Sequence, residues 1–439
     1  MKTNKTKVIF DCQLPIADFK SQIPSLSRAK SRDRKSKIFF LCALCVLCGY
    51  PCTGASAADW PHWRGPDYNG TSSETGWTAT WPEGGPEVLW KAELGTGFAS
   101  MAVSKGRVYA MGNIGDNDVL YCLDARIGSQ IWKKSYPCPL FDKSHEGGPC
   151  ATPTVDGRAV YTFSKNGDAI RFNAETGAIV WHKNLNKELG AEHPEWYFAG
   201  SALVVEDLVI FNAGTYGIAL NKADGSVAWH NGKGAPGYAT GVPFLAGGQQ
   251  LVVMPVCREV VGLNPLTGRV MWKIPWRTSY NVNAADPIVS GNTVFISSGY
   301  NRGCALYQID GRKVTEIWKN RSMRNQLNSS VLWDEHLYGF DGDVGGGGKL
   351  ACVNFQTGES KWSQAGMGTG SLMLADGKLI ILGEKGRLVV AEASPQGFKQ
   401  LASAQILTGK CWTVPVLANG RIYARNAAGQ LVCLDVSGG

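Results

Sequence analysis

A tryptophan recurs through this chain at intervals of 42, 49, 48, 43, 46 and 44 residues. Six of the seven close one short phrase, in which an apolar residue and Asp or Asn lead through a turn to the tryptophan. Leu263-Asn264, Thr267-Gly268 and Trp272 form one example. The full set is Trp90, Trp132, Trp181, Trp229, Trp272, Trp318 and Trp362. A period in this range is typical of solenoids and propellers, so the repeat leaves few architectures open.

Each repeat consists of short β-rich runs separated by tight turns. Asp156-Gly157 lies between two apolar runs, and Asp376-Gly377 does the same in a later repeat. Asp-Gly between apolar runs is a strong hairpin signal, because glycine adopts positive φ without steric cost. Four such strands joined by three turns form an antiparallel sheet, which is the unit of a propeller blade. Long amphipathic helical periodicity is absent after residue 58, which argues against an α/β fold.

Two irregular repeats complete the count of blades. The seventh has Leu401 where the others have tryptophan, and the last ends at Asp435 without a fourth strand. The strand around Trp90, within residues 87–93, has no strands before it to pair with, so we predict that it completes the last blade. Closure of the ring removes open sheet edges. The sequence therefore predicts an all-β, eight-bladed propeller of four-stranded antiparallel blades, closed by the N-terminal strand near Trp90.

The formal charge of +8 comes almost entirely from the start of the chain. Residues 1–57 contain ten Lys or Arg and three Asp or Glu, so the remainder carries about +1. A basic run over 30–37, an apolar run over 38–50 and Ala55-Ser56-Ala57 follow the three-part plan of a secretory signal. We predict a leader over residues 1–58 with the signal at about 30–57, an aromatic extension over 59–86, and the propeller over 87–439.

This organisation predicts an exported protein, periplasmic or extracellular, and we expect a monomer. A nearly neutral mature part does not favour binding to nucleic acid. The apolar run is too short to span a bilayer, so no transmembrane segment is expected once the signal is removed. The extension contains Trp60, Trp63, Trp77 and Trp81, which is enough aromatic surface to pack on the ring and plug its funnel.

Eight cysteines remain after the leader, and an even number in an exported protein permits disulfides. Cys122, Cys352 and Cys433 each precede the apolar-Asp or apolar-Asn pair of a third strand, where a small apolar residue packs. Cys138 and Cys150 flank one loop and are the best candidates for a disulfide. After the leader, no spacing of Cys and His is typical of a zinc site.

The candidate ligand site lies where the chain approaches each innermost strand. In a propeller these strands all run the same way, so the residues before them converge on a central funnel, and polar and aromatic groups in a pocket favour ligand binding. The predicted funnel residues are Trp196, Tyr197, Tyr238, Asn281, Arg324, Asn325, Gln326, Lys410 and Trp412. The two tryptophans could stack on a planar ligand, while the arginine and lysine could pair with its carboxylates.

Oxygen donors in the same segments are candidates for a metal site. Glu195, Asn283 and Asp286 carry the oxygen ligands that Ca²⁺ prefers. Asp286 also precedes a proline at the start of a strand, where Asp commonly caps a turn. A structural role is therefore the alternative for that residue.

The repeated phrase resembles the pyrroloquinoline-quinone (PQQ) repeat of eight-bladed quinoprotein dehydrogenases and BamB-like propellers, and the likeness covers nearly all of residues 87–436. The opening Trp60-Pro61-His62-Trp63-Arg64-Gly65-Pro66 is similar to the start of exported PQQ-like proteins of planctomycete-type bacteria. The resemblance implies that the seven tryptophans dock each blade against the next. In the dehydrogenases it further implies adjacent cysteines joined by a disulfide, and Ca²⁺ beside a catalytic Asp. This sequence contains no Cys-Cys pair. BamB-like scaffolds need none of these features.

Three hypotheses follow for the function. The first is an exported, non-catalytic binding or scaffold module, whose partners are envelope proteins or a small-molecule or polysaccharide ligand. The second is a PQQ- and Ca²⁺-dependent dehydrogenase of alcohols or sugars, with Asp286 as the base and Ca²⁺ near Glu195 and Asn283, since proton abstraction needs a positioned carboxylate and a polarising cation. The third is recognition of cell-surface polysaccharide by the aromatic rim.

Overall fold

The computed structural model describes residues 58–438, which form eight sheets arranged as the blades of a propeller. Seven blades consist of four antiparallel strands whose order follows the chain, and the short strand Thr71–Ser72 adds a fifth, parallel strand to the sheet of blade seven. The eighth blade is completed from the N-terminal part. This confirms the predicted all-β, eight-bladed architecture. None of the helices within the described residues is long and apolar enough to cross a membrane.

Within blades one to seven, the strands follow one another in chain order from the channel axis outwards. Blades one and two comprise Ala102–Ser104, Arg107–Asn113, Asn117–Asp124 and Gln130–Pro137, then Thr154–Asp156, Ala159–Phe163, Asp168–Asn173 and Ile179–Asn184. Blades three and four comprise Leu203–Val205, Leu208–Phe211, Ile218–Asn221 and Val227–His230, then Val242–Ala246, Gln249–Pro255, Glu259–Leu263 and Val270–Pro275. Blades five and six comprise Ile288–Ser290, Thr293–Ser298, Gly303–Asp310 and Lys313–Asn320, then Val331–Trp333, His336–Asp341, Lys349–Asn354 and Ser360–Gln364. Blade seven comprises Ser371–Ala375, Lys378–Leu382, Arg387–Glu392 and Gln400–Gln405.

Blade eight joins the two ends of the described chain. Its inner strands are Val416–Ala418, Arg421–Arg425 and Gln430–Asp435, and its outermost strand is Val88–Glu93, which pairs antiparallel with Gln430–Asp435. The predicted closure by the strand that contains Trp90 is therefore confirmed. The remaining elements are the short strand Thr71–Ser72, the helix Leu185–Leu189 and the 3₁₀ turn Ser279–Asn281.

The recurring tryptophans connect neighbouring blades. Six of them donate their indole N–H to a backbone carbonyl of the next blade, at 2.7–3.2 Å. In five of the six, all but Trp362, the ring also lies against the turn glycine of that next blade: Gly177 has φ of 71°, and a Cβ there would lie 2.7 Å from the Trp132 ring. Trp272 is the exception, with no partner for its N–H. The following blade has a two-residue hairpin turn, Gly311-Arg312, in place of the longer Thr-Gly turn.

The segment Ala58–Thr78, which we call the plug, crosses the channel from blade to blade. Trp60 exchanges backbone hydrogen bonds with Val103 in blade one, and Thr71–Ser72 pairs in parallel with Leu374-Ala375 in blade seven. Thr78 then donates to Val436 at 2.7 Å. Val103 and Leu374-Ala375 lie in the middle or at the end of innermost strands, and Val436 follows the strand Gln430–Asp435, which ends at the same side of the ring. The plug therefore closes the end of the channel at which the innermost strands leave it, and the opposite end stays open.

Candidate functional site

A cavity of about 300 Å³ occupies the open end of the channel. Seven of its lining residues come from one equivalent position, four residues before the innermost strand of their blade. These are Phe98, Cys150, Ala199, Tyr238, Ala284, Leu327 and Trp412. The propeller thus repeats one wall position around the axis, and the sequence varies its side chain from alanine to tryptophan.

A belt of hydrogen bonds supports this wall two residues further along each segment. The residues are Ser100, Thr152, Ser201, Thr240, Asp286 and Ser329. The backbone N–H of each of the first five residues donates to the side-chain oxygen of the following residue in this series, at 2.8–3.1 Å. The belt thus links blades one to six. It ends at blade seven, where the Thr369 hydroxyl has no partner, and blade eight carries Val414 at this position.

Asp286 is the acidic member of the belt and connects it to the plug. One carboxylate oxygen, Oδ1, accepts the Thr240 N–H at 2.8 Å. The other, Oδ2, accepts the Trp63 indole N–H at 2.6 Å and the Ser329 hydroxyl at 3.0 Å. The Arg64 guanidinium lies 3.9 Å from Oδ2, and both side chains are buried. Burial raises the pKa of Asp286 in spite of Arg64 and these hydrogen bonds.

Aromatic side chains surround one side of the cavity mouth. The Trp196 ring lies edge-on to Tyr280, with ring centroids 6.1 Å apart, and Tyr280 meets Tyr300 at 5.7 Å. The Tyr238 hydroxyl accepts the Trp196 backbone N–H at 3.1 Å and fixes the start of this wall. Tyr280 is 69% exposed. Tyr197, Tyr280 and Tyr300 have φ of 64°, 60° and 54°, a region that costs non-glycine residues energy and recurs at binding sites.

The opposite wall centres on Trp412. Its ring stacks on Phe98 with centroids 5.4 Å apart, and its N–H donates to Glu384 at 3.2 Å. His145 meets Phe98 edge-on. Burial, assisted by Lys165, lowers the pKa of His145 to about 4, so this imidazole is neutral near pH 7. His145 therefore adds a neutral polar group to this aromatic wall.

The structure brings five of the predicted site residues to the cavity. Trp196, Tyr238, Gln326, Trp412 and Asp286 line it.

The other predicted funnel residues lie outside the lining. Tyr197 packs on Phe141. Arg324 forms a bidentate ion pair with Asp341, with both N···O distances 2.7 Å.

The remaining three have structural partners or lie at the rim. Asn281 accepts a hydrogen bond from Arg258 at 3.1 Å. Asn325 is buried and donates to the Phe340 carbonyl at 3.0 Å. Lys410 pairs with Glu146 at 2.8 Å and lies over the Trp412 ring.

The three predicted calcium ligands have separate partners. Glu195 pairs with Lys143 on the exposed rim. The Asn283 amide is buried and donates to the carbonyls of Val256, Cys257 and Trp276. Both oxygens of Asp286 are engaged as described above.

These residues do not fit a calcium-bound quinone cofactor. Within residues 58–438, no three or more His, Cys, Asp or Glu side chains are grouped so that they could hold a metal ion. A Ca²⁺ ion at Asp286 would compete with the Thr240, Trp63 and Ser329 hydrogen bonds, which connect the belt to the plug.

The predicted disulfide does not form, because Cys138 and Cys150 are both free thiols. Cys138 follows the outermost strand of blade one, whereas Cys150 precedes the innermost strand of blade two. The loop between them carries the chain from the outer edge to the axis, so flanking one loop does not bring the two sulfurs together. All eight cysteines of the described residues are free, and six of them are buried.

Phe98, Trp63 and the hydroxyl belt were missed by the sequence reasoning. Phe98 could have been found by aligning the repeats on their innermost strands, because it occupies the same position as Tyr238 and Trp412. The same alignment gives Ser, Thr, Ser, Thr, Asp, Ser and Thr for blades one to seven two residues later. Asp286 is then visible as one variant of a structural position.

Comparison with known proteins identifies the family of the chain. A family model described as outer membrane protein assembly factor BamB matches residues 68–187 and 140–364. The chain belongs to the BamB family. BamB of Shewanella oneidensis is 23% identical over 365 residues, which are 70% of this chain and 88% of that protein. This confirms the resemblance to BamB-like PQQ-repeat propellers.

Solved structures share the fold. BamB from Moraxella catarrhalis superimposes with a TM-score of 0.59 at 16% identity, covering 80% of this chain and 100% of that one. Quinohemoprotein alcohol dehydrogenase from Comamonas testosteroni gives 0.64 at 14% identity, with 87% and 81% covered. The fold is thus common to an assembly factor and to an enzyme, and function has to be argued from the site.

Proposed function

We propose that this protein is an exported, non-catalytic binding module that holds extended segments of envelope proteins at its cavity mouth. The observation that carries the proposal is the aromatic wall formed by Trp196, Tyr280 and Tyr300 beside a largely apolar cavity. Extended peptides bind such surfaces by placing side chains in pockets, and tryptophan and tyrosine anchors supply much of the binding energy. Family relatives named as assembly factors support a partner in the envelope.

The alternative of a quinoprotein dehydrogenase would require a carboxylate base within reach of a substrate proton. Asp286 is the one carboxylate among the residues that line the cavity. Its oxygens already accept three hydrogen bonds and face Arg64. Those contacts favour a structural role for Asp286 and a binding role for the cavity.

The proposal is tested by titrating the mature protein with short unstructured peptides from outer-membrane proteins. Half of the set carries alternating aromatic residues, and in the other half these are replaced by serine. We expect the aromatic peptides to bind and to change the fluorescence of the mouth tryptophans. Trp196→Ala should weaken binding at least about tenfold, which corresponds to ~1.4 kcal/mol.

Leu245→Ala is the matched control, because Leu245 is 65% exposed and lies on the innermost strand of blade four, away from the mouth. It should bind like the parent protein. Equal binding of both peptide sets, or equal loss in both variants, contradicts the proposal. Binding of soluble polysaccharide in place of peptide would assign the mouth to glycans, and alcohol oxidation with added PQQ and Ca²⁺ would assign a dehydrogenase.

A further inference from the structure

The first residue of the plug meets a buried carboxylate at the junction of blades eight and one. Glu74 is only 2% exposed. Its Oε1 accepts the Ala58 backbone N–H at 3.1 Å and also that of Asn419, while Oε2 accepts the Gly420 N–H at 2.9 Å. Glu74 thus ties the start of the plug to the first hairpin of blade eight.

A second carboxylate, next to Ala58 in the chain, reaches the equivalent hairpin of blade one. Asp59 Oδ2 accepts the Lys105 backbone N–H at 2.9 Å and the Ser104 hydroxyl at 3.1 Å. Its Oδ1 accepts the Asn419 side-chain amide at 3.1 Å. Asp59 and Glu74 therefore connect the plug to the first hairpins of blade one and blade eight.

These two carboxylates have no cationic partner among the described residues. No Lys, Arg or His between residues 58 and 438 lies within ion-pair distance of Asp59 or Glu74. A buried carboxylate is costly unless a charge or several hydrogen bonds compensate it. The donors to Glu74 and Asp59 are all neutral groups, so the carboxylate charge is not neutralised. A positive charge on the Ala58 nitrogen, which already donates to Glu74, would match it.

Cleavage of a signal peptide would supply such a charge, because it creates a new N-terminal amine. Ala55-Ser56-Ala57 has the small-residue pattern of a signal-peptide cleavage site, and Ala58 follows it directly. Hydrolysis of the bond between residues 57 and 58 adds one water, leaves a carboxylate on Ala57 and frees the amine of Ala58. An α-amine has a pKa of about 7.7–8.0 and takes up a proton near neutral pH.

We propose that the chain is cleaved between Ala57 and Ala58, and that the new α-ammonium group binds Glu74. Processing then converts one neutral N–H donor into a cation that ties the start of the plug to blade eight through Glu74. The inference shares only the export step with the function proposed above. A failure here leaves peptide binding at the cavity mouth unaffected, so the two ideas fail separately.

The first test is the N-terminus of the exported protein, determined by intact mass and N-terminal sequencing. We expect a chain that begins at Ala58. A first residue at any other position overturns the proposal.

The second test compares a free and an Nα-acetylated Ala58 in the mature protein, with Glu74 or with Glu74→Gln. Acetylation should lower Tm by about 1–3 °C in the Glu74 protein and leave Tm unchanged in Glu74→Gln, because interacting groups are not additive. Glu83→Gln changes an exposed carboxylate of the extension and should keep the full acetylation effect. An equal shift in all three backgrounds, or none, contradicts the proposal.

One further variant keeps the test decisive if Glu74→Gln does not fold. A single glycine placed before Ala58 keeps the charge but moves it by about 3.8 Å, the spacing of adjacent Cα atoms. We expect the same loss of Tm as on acetylation. An unchanged Tm would show that the position of the charge is immaterial and would overturn the proposal.

Discussion

The two ends of the central channel contrast in chemistry. At the plug end, residues of the N-terminal segment fill the axis and bury Arg64, Glu74 and Trp60 against the innermost strands. At the cavity end, the segments before the same strands leave a space bordered by exposed aromatic rings. The belt lies between them, and Asp286 faces both. The plug end therefore stabilises the ring, and the side chains at the cavity end are free to vary for ligand recognition.

The loss of stability should differ most between Arg64→Ala at the plug end and Tyr280→Ala at the cavity mouth. Arg64→Ala leaves the buried Asp286 without its cation and removes the donor to the Ser330 carbonyl. Breaking one side of a buried pair costs about 3–5 kcal/mol. Tyr280→Ala, at the exposed mouth, should stay within about 0.5 kcal/mol of the parent protein. Urea denaturation measures both, and equal losses would remove the contrast.

Acidification should destabilise the plug end through His62. This residue is buried and stacked on Tyr68, and burial lowers its pKa to about 4. The unfolded chain takes up a proton near pH 6.5. The unfolded state thus binds more protons between about pH 6.5 and 4, and stability falls as pH is lowered through that window.

His62→Phe keeps the stacking and removes the titration, so its stability should vary less over this pH range. The effect is at most about 3.5 kcal/mol, from ~1.4 kcal/mol per pH unit over the window between the two pKa values. His145 at the cavity end also has its pKa lowered to about 4, but it is more exposed, so His145→Gln should flatten the profile less. A steeper profile in His62→Phe would contradict the assignment.

Thr240→Val tests the belt between the two ends. The substitution leaves the buried Ser201 N–H without its acceptor, and an unpaired buried donor costs about 1–3 kcal/mol. Thr369→Val is the matched control, because Thr369 is equally buried at the equivalent position of blade seven but its hydroxyl has no partner. It should be nearly neutral. Similar losses in both variants would mean that the belt contributes nothing beyond packing.

The blades were readable from the sequence because each is a local unit. Turn glycines and the tryptophan phrase fix strands within about forty-five residues, and the ring closure follows from a missing fourth strand. The convergence of the segments around Trp196, Tyr238 and Trp412 was predictable for the same reason.

The chemistry of individual side chains was harder to predict, because it depends on contacts between distant segments. Asp286 resembles a catalytic base until Trp63 and Arg64, over two hundred residues earlier, are seen beside it. Glu195 resembles a metal ligand until Lys143 is seen to pair with it. The Cys138–Cys150 pairing failed because closeness in sequence was mistaken for closeness across a blade.

The plug has a consequence for how the protein is made. Its residues leave the ribosome among the first of the propeller, but Thr71–Ser72 pairs with Leu374-Ala375 and Thr78 bonds to Val436. These partners are synthesised near the end of the chain. Because contacts between distant segments form slowly, the plug waits for nearly the whole polypeptide. The later part of the plug, Thr71–Ser72 and Thr78, therefore reaches its place only after most of the propeller has been synthesised.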